Sequence, residues 1–177
     1  MRKVILYIAQ TIDGFIATSE GGVEWLYEPD NQNVDLNAYG YLDFYNSIDT
    51  TLMGYNTYNE ILNFGVPFPY PDKKNYVFSK NHKKVDDNPV EFVSSDIPEF
   101  VMNLKQQKGK DIWLIGGGKI NKILLNLNLI DEIILGIKPV VIGQGIKLFA
   151  DNETFSKFKI SEVKLFDENF VLIKMKK

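Results

Sequence analysis

The sequence has no cysteine, a single histidine and a single arginine among 177 residues. Without cysteine there is no disulfide, no thiolate nucleophile and no thiolate metal ligand. His82 stands in the polar run Asn81–Lys84 and reads as a solvated loop residue, so no zinc set can be assembled and no metal is expected. No apolar run approaches the roughly 18 residues that cross a bilayer. Met1-Arg2-Lys3 leads straight into a strand-like run, Val4 to Ala9, with no cleavage signature, so a cytoplasmic protein without a signal peptide is expected. A net charge of −3 and a pI near 5.2 speak against nucleic acid as a partner. Reaction chemistry would have to come from a carboxylate, a tyrosine, ordered water or a borrowed cofactor.

What is present is concentrated between Asp111 and Asn121. Ile112–Ile115 form a short buried-strand signal, Gly116-Gly117-Gly118 follow, and Ile120, Ile123, Leu124 and Leu127 then recur at helical spacing. A strand entering a helix through three glycines brings bare backbone to the helix start, where unpaired N–H groups favour an anion such as phosphate or pyrophosphate. The plainer reading is a tight turn and nothing more, although one glycine would serve for that. A dinucleotide fingerprint beginning at Gly116 would need glycine where Asn121 stands. A P-loop would need Ser or Thr where Ile120 stands.

Further strand signals fall at Lys3–Ala9, Thr50–Met53, Asn75–Ser79, Val90–Val93 and Glu132–Ile137. Ile97, Phe100, Val101 and Leu104 make a helical face opened by Asp96 as N-cap with Glu99 three residues on. A weaker helix is expected over Leu36–Ile48, with Leu42 and Tyr45 inward. Strands alternating with helices predict a mostly parallel α/β sheet in one domain, residues 1–177. Near the end, Phe158 and Ile160 alternate and Val163 and Leu165 resume out of phase, which predicts a bulge near Ser161-Glu162. Phe170–Met175 completes a C-terminal antiparallel hairpin.

Five segments in order carry a resemblance that spans nearly the whole chain: Ile8–Ala17, Met53–Tyr58, Lys74–Lys80, the glycine turn, and Lys138–Phe149. Together they resemble the dihydrofolate-reductase-like superfamily. The last is similar to the branch holding the reductase domain of the riboflavin-biosynthesis deaminase/reductase. The resemblance implies a three-layer α/β/α dihydrofolate-reductase-like fold, with a mostly parallel central sheet and a C-terminal antiparallel hairpin. It implies NADPH as cofactor, with NADH possible, a small-molecule substrate, and a homodimer. On matching positions, Ile115, Gly116, Gly117, Gly118, Lys119 and Ile120 would carry the pyrophosphate, and Gly54, Tyr55 and Thr57 the second phosphate-facing helix start. Ser79 and Lys80 would flank the adenosine 2′-phosphate. Ala9, Gly14 and Ile16 would bracket the nicotinamide, with Gln10, Trp25 and Leu42 toward substrate.

The departures from the family pattern are informative. Tyr55 replaces the usual arginine of the second motif, leaving Lys80 and Lys119 as point charges for a 2′-phosphate. Asp30 stands five residues after Trp25, the local spacing of the substrate-loop acid in dihydrofolate reductases, and is the candidate proton donor. Its alternative is a turn aspartate in Pro29-Asp30-Asn31. Trp25 itself reads equally as a core anchor. The arginines that hold a phosphoribosyl substrate in the riboflavin branch have no counterpart. The expected activity is hydride transfer from NADPH to a C=N or C=O carbon of a small heterocycle, between aminouracil and dihydrofolate reduction. The competing class is a catalytically weak nucleotide-binding dimer. The exposed-looking apolar residues Val140, Val141, Ile142, Ile146, Leu148 and Phe149 predict an interface there or on a neighbouring edge strand.

Overall fold

The computed structural model describes residues 1–27, 39–80, 89–94, 96–151, 154–166 and 169–177. Asp30 and His82 therefore lie outside the described residues. The elements run β1 (Val4–Thr11), β2 (Phe15–Ala17), a 3-10 turn (Glu24–Leu26), α1 (Tyr41–Ser47), β3 (Ile48–Gly54), α2 (Tyr55–Asn63), β4 (Lys74–Phe78) and β5 (Val90–Val93). They continue with α3 (Ile97–Gln106), β6 (Asp111–Gly116), α4 (Gly118–Asn126), β7 (Glu132–Lys138), β8 (Ile146–Lys147), β9 (Lys159–Phe166) and β10 (Phe170–Lys176).

Eight strands form one sheet in the order β5-β4-β3-β6-β1-β7-β10-β9. The first six are mutually parallel, and β10 and β9 add the antiparallel hairpin. Continuous apolar strands such as Val4–Leu6 and Ile112–Leu114 are covered on both faces, as parallel strands must be. Val101 and Leu104 of α3 and Leu124 of α4 pack with Val4, Leu6, Leu52, Ile112 and Leu114 on one face. Phe44 of α1 packs with Ile5 and Trp113 on the other face, and Tyr58 and Ile61 of α2 join Met53 and Val77 there. Burying each of these side chains favours folding by about 1.5–3 kcal/mol.

The Asp96 carboxylate accepts from the Glu99 N–H at 3.0 Å, the expected cap of α3. The expected bulge is real: Lys174 pairs with Glu162 and Met175 with Ile160, leaving Ser161 as the extra residue. Three expectations need correction. Within the described residues, α1 begins at Tyr41, and Ile48 already belongs to β3. Leu42 is exposed on α1 while Phe44 is the inward residue, because the seven-residue helix turns its Tyr41–Phe44–Tyr45 face to the sheet. The Val140–Phe149 segment is not a free apolar surface, since Leu148 joins the core and Phe149 packs against it. Val141, 67% exposed, keeps the predicted character.

A second, two-stranded sheet pairs β2 with β8, far apart in sequence. β8 belongs to a strap, residues 139–150, whose backbone bonds to Ile12, Gly14 and Gly118 lay it across the C-terminal ends of β1 and β6.

Candidate functional site

β3 and β6 are neighbours in the sheet, yet β3 leads into α2 on one face and β6 leads into α4 on the other. Adjacent parallel strands whose connections diverge to opposite faces leave a crevice at their carboxyl ends, the place where open α/β sheets take ligands. Both candidate glycine turns stand at that crevice. Gly54, the N-cap of α2, and Gly117, the N-cap of α4, are brought together by the register Met53↔Gly116. Neither helix has a side-chain cap, in contrast to α3, so their first N–H groups remain available to an anion.

The three glycines do not all stand there for the same reason. Gly116 and Gly117 hold φ of +116° and +95°, a region that side-chain-bearing residues rarely adopt. A Cβ on Gly117 would also come within 2.9 Å of Thr57 Oγ1, the hydroxyl that donates to Gly116 O at 3.3 Å and ties the two turns together. Gly118 instead answers to the strap: a Cβ there would lie 2.3 Å from Lys147 O. Ile120 is buried and packs against Gly54, so its part in a phosphate site would be played by backbone alone.

A second opening adjoins the first. β1 pairs with β6 only through Leu6↔Leu114, while its ladder with β7 continues to Thr11↔Lys138. Beyond Leu6 the strand therefore leaves β6, and Tyr7, Ile8, Ala9 and Gln10 are only half-buried at the centre of an eight-stranded sheet. This parting exposes backbone and side chains at the positions expected to meet the nicotinamide and substrate. The rim is lined on the α1 face by rings. Tyr7 meets Phe44 edge-on at 4.6 Å, Trp113 packs edge-on to Tyr70 at 5.0 Å, and Tyr41 and Tyr45 complete the group. Trp113 Nε1 donates to Tyr7 O at 3.0 Å, anchoring β1 where the β6 ladder has ended. Burial pushes the Tyr7 phenol up to about 12, and burial raises Tyr70 and Tyr45 as well, so all three stay protonated at neutral pH.

The strap stitches this rim to the glycine turn. Asp13 accepts from Thr11 Oγ1 at 2.5 Å, Gly143 N at 2.8 Å and Ile142 N at 3.2 Å. Those hydrogen bonds, led by Thr11, hold its carboxyl below the usual range. Leu148 N donates to Gly14 O, Ala150 N donates to Gly118 O, and the fully buried Asn121 donates Nδ2 to Leu148 O at 2.9 Å. The residue that breaks the dinucleotide fingerprint thus has its own structural task, although its Oδ1 is buried without a donor among the described residues.

The remaining expected residues are distributed as follows. Gly14 and Ile16 lie in the turn and β2 beside the strap, with Ile16 against the core. Ser79 N extends the β4–β5 ladder to Val93 O, and Lys80 follows, exposed, two strands from the glycine turn. Lys119 is exposed at the start of α4. Tyr55 packs toward Phe92 (ring centroids 6.3 Å) in the α2-side core, so its ring serves packing. Trp25 is half-buried with its indole N–H enclosed and without an acceptor among the described residues. Leu42 is turned away, as noted. Asp13, Asn121, Tyr7 and Trp113 were not singled out from sequence. An Asp13-Gly14 turn is legible there, but its partners lie about 130 residues away.

Comparison with known proteins agrees with this architecture. Residues 71–172 match the family model of the RibD C-terminal domain. The uncharacterized proteins YwjB and YyaP of Bacillus subtilis are 36% and 35% identical, over 94% and 97% of this chain and 94% and 93% of their own lengths. The chain belongs to the RibD C-terminal domain family. Among solved structures, a Shewanella sp. PV-4 protein provisionally named a riboflavin biosynthesis protein superimposes with TM-score 0.84 at 24% identity, covering 98% of each chain. Dihydrofolate reductase from Enterococcus faecalis, complexed with NADP(H), superimposes at 0.68 and 16% identity, covering 98% of this chain and 95% of its own. The Thermotoga maritima deaminase and 5-amino-6-(5-phosphoribosylamino)uracil reductase does so at 0.71 and 19% identity, over 99% of this chain and 56% of that one.

Proposed function

We propose that the protein is an NADPH-dependent reductase of a small heterocyclic or carbonyl substrate, of the aminouracil-reductase and dihydrofolate-reductase kind. The observation that carries this reading is the pair of uncapped glycine helix starts at the strand crevice, beside the point where β1 parts from β6. Two positive helix ends facing one gap suit a pyrophosphate, and a cleft between parted strands suits a flat ring. NADPH, when bound, supplies a hydride. The chain's own residues do the rest: Gly116–Ile120 and Gly54–Thr57 hold phosphates, Lys80 and Lys119 favour the 2′-phosphate, and Ala9 and Ile16 confine the ring. Asp30, if it reaches the cleft, delivers a proton. NADH would bind more weakly for want of the 2′-phosphate contact.

The one arginine argues against a phosphoribosyl substrate. Arg2 bonds to Asp49, Thr50 and Lys110 O at the amino-terminal rim of the sheet, the end opposite the crevice. The competing reading, a nucleotide-binding dimer without turnover, draws on the absence of cysteine and the single histidine, His82, in a polar run. Incubating the protein with NADPH and, in turn, dihydrofolate, a deaminated pyrimidine ribosylamine and simple aldehydes decides between them. Loss of reduced-nicotinamide absorbance with any one supports the reductase. Tight NADPH binding with no turnover supports the second reading.

A homodimer belongs to the same proposal. Ile160, Val163 and Leu165 of the edge strand β9 pair with Met175, Ile173 and Val171, and these with Ile133, Leu135 and Ile137, so all stand on one sheet face. Beyond α4 this face is uncovered, and Phe155 beside it is 90% exposed. A groove of about 310 Å³ between Leu125, Leu148, Phe149 and Phe158 continues the surface. Patches of this kind are buried by a partner in soluble proteins, most simply a second copy.

A further inference from the structure

One indole organises the α1 face of the sheet beside the β1 cleft. Trp113 of β6 is buried, and four rings meet it. Phe44, Tyr70 and Tyr41 stand edge-on to it at 5.4, 5.0 and 6.0 Å, and Tyr7 is tilted at 6.3 Å. Phe44 is buried with the indole, whereas the three tyrosines are only half-buried. They come from three separate elements: β1, α1 and the connection before β4.

Their hydroxyls are what packing leaves unexplained. A fourth phenol, Tyr45, donates to Asp72, which pairs with Lys73 at 3.0 Å, and that ammonium lies 3.9 Å from the Tyr45 ring centroid. This triad spends its polar groups on holding α1 to the connection. Among the described residues no hydrogen bond reaches the hydroxyls of Tyr7, Tyr41 or Tyr70, and none of the three is enclosed. Burial and then the Tyr41 phenol raise both Tyr7 and Tyr70, so the Tyr41 hydroxyl lies within electrostatic reach of the other two. Phenylalanine at all three positions would pack the same indole with no polar group to satisfy.

Tyr7 stands where β1 leaves β6, and its own carbonyl already accepts from Trp113 Nε1 at 3.0 Å. The hydroxyl is therefore the group this residue has left for a ligand. A phenol both donates to a carbonyl and accepts from a ring N–H. Three of them offer such contacts without charge, and Asp72 and Lys73 are already paired with each other.

We propose that the hydroxyls of Tyr7, Tyr41 and Tyr70 read the carbonyl and N–H edge of an uncharged planar heterocycle seated where β1 parts from β6. The substrate class is then an oxo-heterocycle, selected by hydrogen bonds instead of by an ion pair. The inference rests on reading the β1 cleft as the substrate site.

The test compares quinazolin-4-one, a flat bicycle with a carbonyl and an N–H, with quinoline, a bicycle of the same shape with neither. Binding to the full chain is followed by quenching of tryptophan fluorescence, Trp113 lying inside the group, and by calorimetry, each with and without NADP⁺. Wild type is expected to favour quinazolin-4-one by at least about tenfold, the yield of two or three neutral hydrogen bonds. Tyr7→Phe, Tyr41→Phe and Tyr70→Phe each keep the ring, and each should reduce the preference about two- to tenfold. The triple variant should bind the two probes alike, with its quinoline affinity unchanged, which damage to packing would not leave intact. Tyr76→Phe, on the opposite sheet face against Phe100, should keep the preference. If circular dichroism shows the triple variant misfolded, the three single variants decide. The proposal is overturned if the phenylalanine variants keep the wild-type preference, or if wild type shows none. Failure of wild type to bind NADP⁺ would sink the reductase reading instead, and the preference between the two probes would still judge the tyrosines.

Discussion

Gly117 concentrates the argument at the scale of single residues. Its φ of +95° and the 2.9 Å approach of Thr57 to any Cβ leave no strain-free place for a side chain. Gly117→Val is expected to weaken NADPH binding at least tenfold, while Lys122→Ala, at a half-buried helix position whose Nζ reaches Asp151 O, should change it less than twofold. Fluorescence titration of the two variants checks this. Asp13 gives a pH signature. Its folded carboxyl titrates below its ordinary value because Thr11 and the Gly143 and Ile142 amides favour the anion, so its contribution is present above about pH 4 and is lost as pH falls through the lower folded value. Asp13→Asn should therefore melt below wild type at pH 6–7, and the gap between the two should narrow as pH falls below about 4. A constant gap in melting temperature from neutral to acid pH would contradict this role of the Asp13 carboxylate. Tyr55 carries two demands at one position: it opens α2 at the turn proposed to hold phosphate, and its ring packs into the α2-side core.

Among elements, the parallel strands were legible because buried apolar runs of four to seven residues between turn signals have few other readings, as with Val90–Val93 and Ile112–Ile115. The Asp96 cap and the Ser161 bulge were legible for the same reason: each is a local pattern with a local cause. α1 was placed too early, and of the two residues expected inward Tyr45 faces the sheet while Leu42 does not, because Tyr41, Leu42, Phe44 and Tyr45 offer two equally apolar faces and only the sheet decides between them. The strap was not legible. Its bonds join Asp13 to Gly143, Gly14 to Leu148 and Asn121 to Leu148, and no periodicity reports contacts between such distant segments. Its importance can be measured. Gly118→Ala would set a methyl 2.3 Å from the Lys147 carbonyl, a backbone atom that cannot rotate away. Displacing the strap should cost about 3 kcal/mol in denaturant unfolding, against a value near zero if the strap is a passive loop.

At the scale of the whole molecule, the sheet has two unlike rims. The amino-terminal rim is closed by ion pairs, Arg2 with Asp49 and Lys105 with Asp131. The carboxyl rim carries the glycine helix starts, the parted β1 and the aromatic group. One sheet face beyond α4 is left apolar from Ile133 to Leu165. Light scattering at micromolar concentration should return twice the chain's 20.3 kDa mass, and Val163→Glu with Leu165→Lys should return a monomer. A monomer for the unaltered chain would mean that this face is simply tolerated. The fold and the family were readable from five weak motifs in order; the substrate was not, because the ring-lined rim is assembled from β1, α1, β6 and the connection at Tyr70.

The central claim is that the paired glycine turns bind a pyrophosphate-bearing cofactor. Isothermal titration of NADPH into the purified protein, beside Gly117→Val shown by circular dichroism to be folded, addresses it most directly. A dissociation constant in the micromolar range or below for wild type, weakened at least tenfold in the variant and less favourable for NADH, is the predicted result. Equal binding by the folded variant, or no heat of binding to the wild type, would contradict it.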